Sequence, residues 1–395
     1  MPMIPFDLLS PQTGHPLRSD TPHSLRGADE SDRWPVIDGI PYLRTGRDDL
    51  VSLTLELLDD GKRELALEGL LADQDDWWTG PPADPIDLHA LGRDRDTLNL
   101  REAILRLGWG RVGDYFLHRW SDPTFLAGLT LLEAHWNEPA CVFEFACGIG
   151  HYLREFQSRG AKVAGGDVVF AKLWVARHWL LNAKAQLVCF DAASPHWPIH
   201  GAPVDLVVCN DAFYFLDDKA GILDCLRRNA GEDGWLALSH IHNSARPGFS
   251  AGGAVSANDI EELFPDGLVY DDDELTRALV EGRAPSPKSP ADLIGAEAFS
   301  VVAGPGMRPA PRKVLDGITL PREGTQLRLN PLYVPNGEGY KVAWPSERYE
   351  AEYAGHATYP VTSPGPEVLD WIGGEASPYA ERVRRREFVD LPERW

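Results

Sequence analysis

Apolar residues fall in short runs between residues 140 and 242, and polar or helical segments separate the runs. The runs are CVFEFA, KVAGGDVV, AQLVCFDA, VDLVVCND and GWLALSHIH. Strands that alternate with helices are typical of a parallel, doubly wound sheet with right-handed crossovers. The pattern therefore predicts an α/β core in this part of the chain.

The pattern is different on the N-terminal side of this core. Residues 6–45 form short alternating runs that end in WPVIDGIPYLR, where Asp38-Gly39 is typical of a hairpin turn. In residues 49–135, apolar positions recur every three or four residues in VSLTLELL, LNLREAILRLG and PTFLAGLTLLEAHW, which predicts helices.

After His242 the segment 244–256 is rich in Gly, Ser and Ala and predicts a loop. NDIEELF and DDELTRALVEG predict helices and AEAFSVVAG a strand, while the last ninety residues predict a loop-rich α+β arrangement. Asp271 to Glu274 are expected to complement a helix dipole. The predicted units are a β module (1–48), a helical cap (49–135), the α/β domain (136–304) and a C-terminal extension (305–395).

Composition and charge limit the possible functions more than they limit the possible folds. The chain has 395 residues with a formal net charge of −22, which disfavours nucleic acids and anionic membranes as partners. No apolar run approaches the roughly 20 residues of a membrane span, and the N-terminus lacks the pattern of a signal peptide. The five cysteines include no CxxC pair, so we expect a reduced, cytoplasmic protein, and a homodimer stays open.

The first strand of the core leads into a glycine turn, VFEFACGIGHYLREF. A dinucleotide-binding oxidoreductase would have a third glycine where this chain has Leu153. The acid before the turn instead fits the pattern acid-x-Gly-x-Gly-x-Gly, with alanine at the first glycine position. The predicted cofactor-binding residues at this turn are Glu144, Ala146, Cys147, Gly148 and Gly150.

This turn resembles that of class I S-adenosylmethionine-dependent methyltransferases, which have a Rossmann-like seven-stranded sheet. The resemblance continues at the next three strands. It implies that Asp167, followed by Val168, binds the ribose hydroxyls, and that Asp191, followed by Ala192, accepts from the adenine amino group. It also implies that Glu144 orients the turn and the methionine amine. The fourth strand ends near the methyl group with Asn210, Asp211 and Tyr214.

Candidates for the chemistry follow at the end of the fifth strand. His240 and His242 are two residues apart and should share a face of the sheet. Together with Asp211 and Tyr214, they are the predicted catalytic residues, and His240 and His242 are the candidate general bases. An alternative is that the histidines only cap the sheet edge. The sequence places no third ligand beside them, so no metal site is predicted. His151 directly follows the glycine turn and could line the cofactor pocket, although a histidine at the start of a helix is more often solvated.

The segment DLLSPQTGHPLRSD, with the later Asp38-Gly39-Ile40-Pro41, resembles a zinc-ribbon-like activator module of tRNA and protein methyltransferases. In that family a zinc cysteine stands where this chain has Ser10, and residues 1–140 contain no cysteine. The resemblance therefore implies a module without its metal. The alternative is a generic β-hairpin cap.

We predict a methyltransferase that uses S-adenosyl-L-methionine and acts on a small-molecule acceptor of specialised metabolism. The acceptor pocket should come from the helices of residues 100–125, the 244–256 loop and the C-terminal extension. Two alternatives stay open: a non-catalytic scaffold that binds a protein partner, and methylation of RNA or protein. A scaffold would have its pocket filled by C-terminal side chains.

Overall fold

The structure is a computed structural model. It describes residues 6–28, 32–200, 204–246, 252–315, 317–373 and 377–395. The predicted 244–256 loop therefore lies partly outside the described residues.

The N-terminal part is a β-meander followed by helices. Its strands are β1 (Asp7–Leu8), β2 (Leu17–Thr21), β3 (Ser24–Gly27), β4 (Arg33–Ile37) and β5 (Ile40–Leu43). Its helices are α1 (Asp48–Asp59), α2 (Arg63–Ala72), α3 (Pro85–Asp94), α4 (Leu100–Arg106), α5 (Arg111–His118), a 3-10 turn (Arg119–Ser121) and α6 (Pro123–Ala134). Every residue of α6 is buried, as expected for a helix that is apolar all round.

The central part alternates strands and helices. Its strands are β6 (Cys141–Phe145), β7 (Lys162–Asp167), β8 (Gln186–Phe190), β9 (Ile199–His200), β10 (Leu206–Asn210), β11 (Trp235–His242), β12 (Leu268–Asp271) and β13 (Ala298–Ala303). Its helices are α7 (His151–Ser158), α8 (Phe170–Val175), a π turn (Ala176–Leu180), a 3-10 turn (Phe213–Phe215), α9 (Lys219–Ala230), α10 (Ala257–Leu263), α11 (Asp272–Glu281) and α12 (Pro290–Leu293).

One sheet of eleven strands organises the molecule, in the order β12-β13-β11-β10-β6-β7-β8-β5-β4-β3-β2. The strands from β11 to β5 pair in parallel, and β13 runs antiparallel to both of its neighbours. The chain order reverses direction between β6 and β10. This reversal opens a crevice at the carboxyl ends of the strands, which is where α/β sheets bind ligands. The predicted Rossmann-like fold is confirmed.

Four N-terminal strands, β2 to β5, join this sheet, whereas β1 pairs with β9 in a separate two-stranded sheet. β5 pairs in parallel with β8 through Tyr42 opposite Cys189, and β4 returns antiparallel after the two-residue turn Asp38-Gly39. Ser10 is buried, contacts Asp32, and accepts hydrogen bonds from the backbone N–H groups of Gln12 and Thr13. The Ser10 hydroxyl thus links the turn at residues 10–13 to Asp32. The likeness to a zinc-ribbon module stays a prediction.

The C-terminal part has its own small core. Its elements are β14 (Gln326–Leu329), β15 (Tyr333–Asn336), β16 (Gly339–Val342), α13 (Glu347–Tyr353), a 3-10 turn (Ala354–His356), β17 (Thr362–Ser363), β18 (Val368–Asp370), α14 (Ala380–Arg384) and β19 (Phe388–Val389). The strands form two three-stranded sheets. The buried Glu133 carboxylate of α6 anchors the segment before β14, because it accepts backbone N–H groups of Leu315, Gly317 and Thr319.

Candidate active site

A cavity of about 1790 Å³ occupies the crevice at the carboxyl ends of β6, β7, β8, β10 and β11. Residues of α5, of the segment 74–81 and of α13 in the C-terminal part also line it. Thirteen of the fourteen predicted site residues line it: Glu144, Ala146, Cys147, Gly148, Asp167, Val168, Asp191, Ala192, Asn210, Asp211, Tyr214, His240 and His242.

Gly150 is the exception. It adopts a left-handed conformation with φ of 85° and directly precedes α7, while its missing Cβ would lie 3.2 Å from a methyl carbon of Leu181. Its role in the structure is to turn the chain into the helix. Gly148, with φ of 55°, does line the cavity and packs beside Phe116.

Acids occupy one end of the cavity. The Asp167 carboxylate accepts the N–H of Gly148 at 2.9 Å and the N–H of Val169 at 2.9 Å, so it also holds the glycine turn in place. Asp191 accepts the N–H of Ala193 at 2.8 Å. Each carboxylate oxygen has a second acceptor position, so both acids can still accept hydrogen bonds from a ligand.

Glu144 is the most buried acid of this end, with 2% of its surface exposed. Its Oε1 accepts from Asn210 Nδ2 at 3.2 Å, whereas its Oε2 is buried and accepts no hydrogen bond of standard geometry among the described residues, although the nearby Leu153 backbone lowers the pKa of the carboxyl. Burial raises the pKa of Glu144 to about 8, against the lowering effects of Asn210 and Arg119. A buried carboxylate oxygen without a hydrogen bond of standard geometry fits a cationic ligand group, because such a group would satisfy it.

Tyrosine, arginine and histidine side chains surround Asp211 at the other end. Asp211 Oδ2 accepts from the Tyr115 hydroxyl at 2.9 Å and lies 3.0 Å from Arg119 Nη1, while Oδ1 accepts from the Tyr214 hydroxyl at 3.0 Å. The pKa of Asp211 is lowered: burial raises it, but the positive charge of Arg119 and the neighbouring histidines outweigh burial. Asp211 is therefore held as a carboxylate.

The two histidines share one face, as the spacing predicts, with ring centres 4.8 Å apart. His240 Nδ1 lies 2.7 Å from Asp272 Oδ2, and Asp272 Oδ1 accepts from the Ser300 hydroxyl. Burial lowers the pKa of His242 to about 4 and the charge of His240 adds to this, so His242 is neutral at pH 7. Both histidines line the cavity.

Non-glycine residues adopt left-handed backbone conformations at three cavity positions, with φ of 55° at Ala146, 53° at Asp211 and 56° at His240. This conformation is costly for a residue with a Cβ and is found mainly where the surrounding structure enforces it, often at functional sites.

Two sequence expectations need correction here. His151 is not solvated: it is buried, its Nε2 lies 3.0 Å from the Phe116 carbonyl oxygen, and burial lowers its pKa to about 3. The acids at the start of α11 are more than dipole partners. Asp271 caps the helix, but Asp272 orients His240 and Asp273 pairs with His356.

Sequence reasoning missed several residues of this end. Tyr115 and Arg119 are four residues apart, so their shared helical face could have been noticed. Tyr349 and Tyr353 of α13 have the same spacing, and Tyr349 donates to the buried Asp122. No described residue of the 244–256 loop lines the cavity.

Comparison with known proteins identifies the type of domain. Residues 118–279 match the family model described as Methyltransferase domain. The chain carries a methyltransferase domain. The methyltransferase class predicted from the sequence is confirmed. The dinucleotide alternative is thereby set aside.

Individual relatives are distant. The ubiquinone biosynthesis O-methyltransferase of Thiobacillus denitrificans is 26% identical over 161 residues, which are 38% of this chain and 68% of that protein. Phosphoethanolamine N-methyltransferase 2 of Haemonchus contortus, in complex with S-adenosyl-L-methionine, is 18% identical with a TM-score of 0.37 over 53% of this chain. The matched residues are 60% of the relative's chain in that complex and 58% in a second solved structure of the same enzyme. An S-adenosylmethionine-dependent methyltransferase of Mesorhizobium loti is 16% identical with a TM-score of 0.33, over 46% of this chain and 96% of that one.

In the described part of the chain, no helix is both long and apolar enough to cross a bilayer.

Proposed function

We propose that this protein transfers the methyl group of S-adenosylmethionine to a small-molecule acceptor. The proposal rests on one cavity. The acids Glu144, Asp167 and Asp191 lie at one end of it, and Asp211 with the surrounding tyrosine, arginine and histidine side chains (the Asp211 cluster) lies at the other. When bound, the cofactor supplies a methyl group on a sulfonium for in-line displacement. Catalysis then depends mainly on proximity and alignment.

The cofactor end has donor and acceptor groups of the right kind. We assign the ribose hydroxyls to Asp167, the adenine amino group to Asp191 and the amino group of the methionine part to Glu144. All three ligand groups donate hydrogen bonds, and all three residues have carboxyl oxygens with acceptor capacity left. Cys147 takes no chemical part, because it is buried and burial raises the pKa of its thiol well above the usual value.

The acceptor end is lined by aromatic side chains. Its walls include Trp77, Tyr115, Phe215, Tyr349 and Tyr353. Aromatic walls around a few polar groups are typical of pockets for small organic ligands. Because α13 covers this end, a small molecule fits it better than a polymer does. A scaffold without activity would instead have its cavity filled by the C-terminal part, whereas α13 leaves the cavity open inside.

Asp211, Tyr214, His240 and His242 surround the position proposed for the acceptor. These side chains offer carboxylate, hydroxyl and imidazole groups, which suit an acceptor bearing a hydroxyl or an amine. In this proposal they hold the acceptor's nucleophilic atom toward Asn210 and the cofactor.

The test is methyl transfer with the full chain. Purified protein is incubated with S-adenosylmethionine and sets of phenols, carboxylic acids and amines. S-adenosylhomocysteine formation and the methylated product are followed by mass spectrometry. We expect turnover with at least one set, and a rise in the KM for the cofactor of about tenfold or more in Asp167→Asn, from the loss of charge-assisted hydrogen bonds.

Asp266→Asn is the matched control, since Asp266 is an exposed acid between α10 and β12 and does not line the cavity. Its kinetics should equal those of the unmodified protein. Cofactor binding without methylation of any small molecule, together with methylation of RNA or protein, would overturn the proposed substrate class.

A further inference from the structure

The end of the cavity around Asp211 brings together three side chains of the types that bind metal ions. Asp211, His240 and His242 each place one ligand atom within 4.8 Å of the others. The sequence alone placed no third ligand beside the two histidines. In the structure this ligand is Asp211, which directly follows the neighbouring strand β10. The fold creates this group, because β10 and β11 are adjacent and parallel.

His242 has an unused ring nitrogen. Its Nδ1 is buried and has no hydrogen-bond partner among the described residues, and only 9% of the residue's surface is exposed. Burying a polar atom without a partner is costly unless a ligand or an ion completes it. His242 lines both the main cavity and a smaller one beside it, so an ion could reach it.

His240 is held in the orientation that metal-binding histidines adopt. Asp272 accepts its Nδ1–H at 2.7 Å, and Ser300 in turn donates to Asp272 at 2.6 Å. Because Asp272 holds the Nδ1–H, Nε2 is the ring nitrogen that would bind a metal, in exchange for its own proton. Carboxylate–histidine pairs of this kind fix the tautomer of a ligand histidine and make it a better donor to a metal.

Asp211 can still contribute an oxygen. Its Oδ2 contacts Tyr115 and Arg119, but Oδ1 accepts only the Tyr214 hydroxyl among the described groups and has a second acceptor position. Arg119 repels a cation, so the site should bind more weakly than a structural zinc site. Asp272 supplies a negative charge in compensation.

We propose that Asp211, His240 and His242 form a binding site for one divalent first-row transition ion. Two imidazoles and one carboxylate favour borderline ions such as Zn²⁺, Co²⁺ or Ni²⁺ over Mg²⁺ or Ca²⁺. All three residues line the cavity, so a further ligand of the ion would come from there. This inference deepens the proposed function, because that ligand would be an oxygen or nitrogen of the acceptor.

The experiment measures metal binding without cofactor or acceptor. The full chain is stripped with a chelator, and Co²⁺ is titrated while the visible absorption of the ion is recorded. Zn²⁺ is titrated by calorimetry. We expect one ion per chain. His242→Ala should weaken binding at least tenfold, and Asp272→Asn about tenfold through loss of the support for His240.

The matched control is His89→Ala, because His89 is an exposed surface histidine paired with Glu68. It should bind the ion like the unmodified protein. Binding of S-adenosylhomocysteine at the other end shows that each variant is folded. The proposal is overturned if the stripped protein takes up no stoichiometric ion, or if His242→Ala and His240→Ala both keep the full affinity. If the ion binds but S-adenosylhomocysteine does not, the proposed function fails and the metal site stands.

Discussion

Binding of the cofactor is expected to release a proton from Glu144, and the number released can be calculated. The carboxyl is buried and its pKa is raised to about 8, with Asp167 adding to the effect of burial. It is therefore mostly protonated in the free protein at pH 7. The ammonium group of the cofactor's methionine part would favour the carboxylate and lower this pKa toward its ordinary value.

The magnitude follows from the pKa. With a value of about 8, about nine-tenths of the free protein carries the proton at pH 7 and about half at pH 8, because each pH unit is a tenfold ratio. Binding should thus release about 0.9 proton at pH 7 and about 0.5 at pH 8. Cofactor affinity should rise almost tenfold per pH unit below pH 7 and level off above pH 8.

Calorimetry in buffers of different ionisation enthalpy measures the proton count directly. Glu144→Gln should release no proton and should lose the pH dependence of affinity. 5′-Methylthioadenosine, which lacks the amino-acid part, is the control ligand and should also release none. Proton release that is near zero at pH 7, or unchanged in Glu144→Gln, would refute the reasoning.

Three further predictions concern the free energy of unfolding, measured with urea. Glu133→Ala should lower it by about 3 kcal/mol or more, because it leaves several buried N–H groups without an acceptor. The control Glu261→Ala, on the exposed face of α10, should leave it almost unchanged. The hydrogen bond with Asp273 and the contact with Glu297 raise the pKa of His356 to about 10. This pair should therefore stabilise the fold by about 0.5 kcal/mol below pH 6.5 and lose that contribution as the pH rises through 10. His356→Gln should remove this dependence. Phe143→Ala, at a fully buried position of β6, should cost about 3–5 kcal/mol; a cost below about 1 kcal/mol would contradict the packing described here.

The α/β core was predictable because its signals are local. Apolar runs with turn residues between them mark the strands, and the acids at Asp167 and Asp191 come directly at or after strand ends. In a parallel sheet the carboxyl ends meet at one edge, so residues far apart in sequence could be placed together before the structure was known.

The acceptor end was less predictable because its contacts are non-local. Asp272 pairs with His240 across 32 residues, and Tyr349 contacts Asp122 across 227. Neither pairing leaves a periodic or spacing signal. The joining of β5 to β8 was equally hidden, since an edge-to-edge pairing depends on which strand is left unpaired after the rest of the sheet forms.

Co-crystallisation with S-adenosylhomocysteine tests the central assignment most directly. We predict the adenosine between Asp167 and Asp191, the amino group beside Glu144, and the sulfur directed toward Asn210 and the Asp211 cluster. A product molecule bound outside this cavity, or one whose sulfur faces away from Asp211, would contradict the assignment.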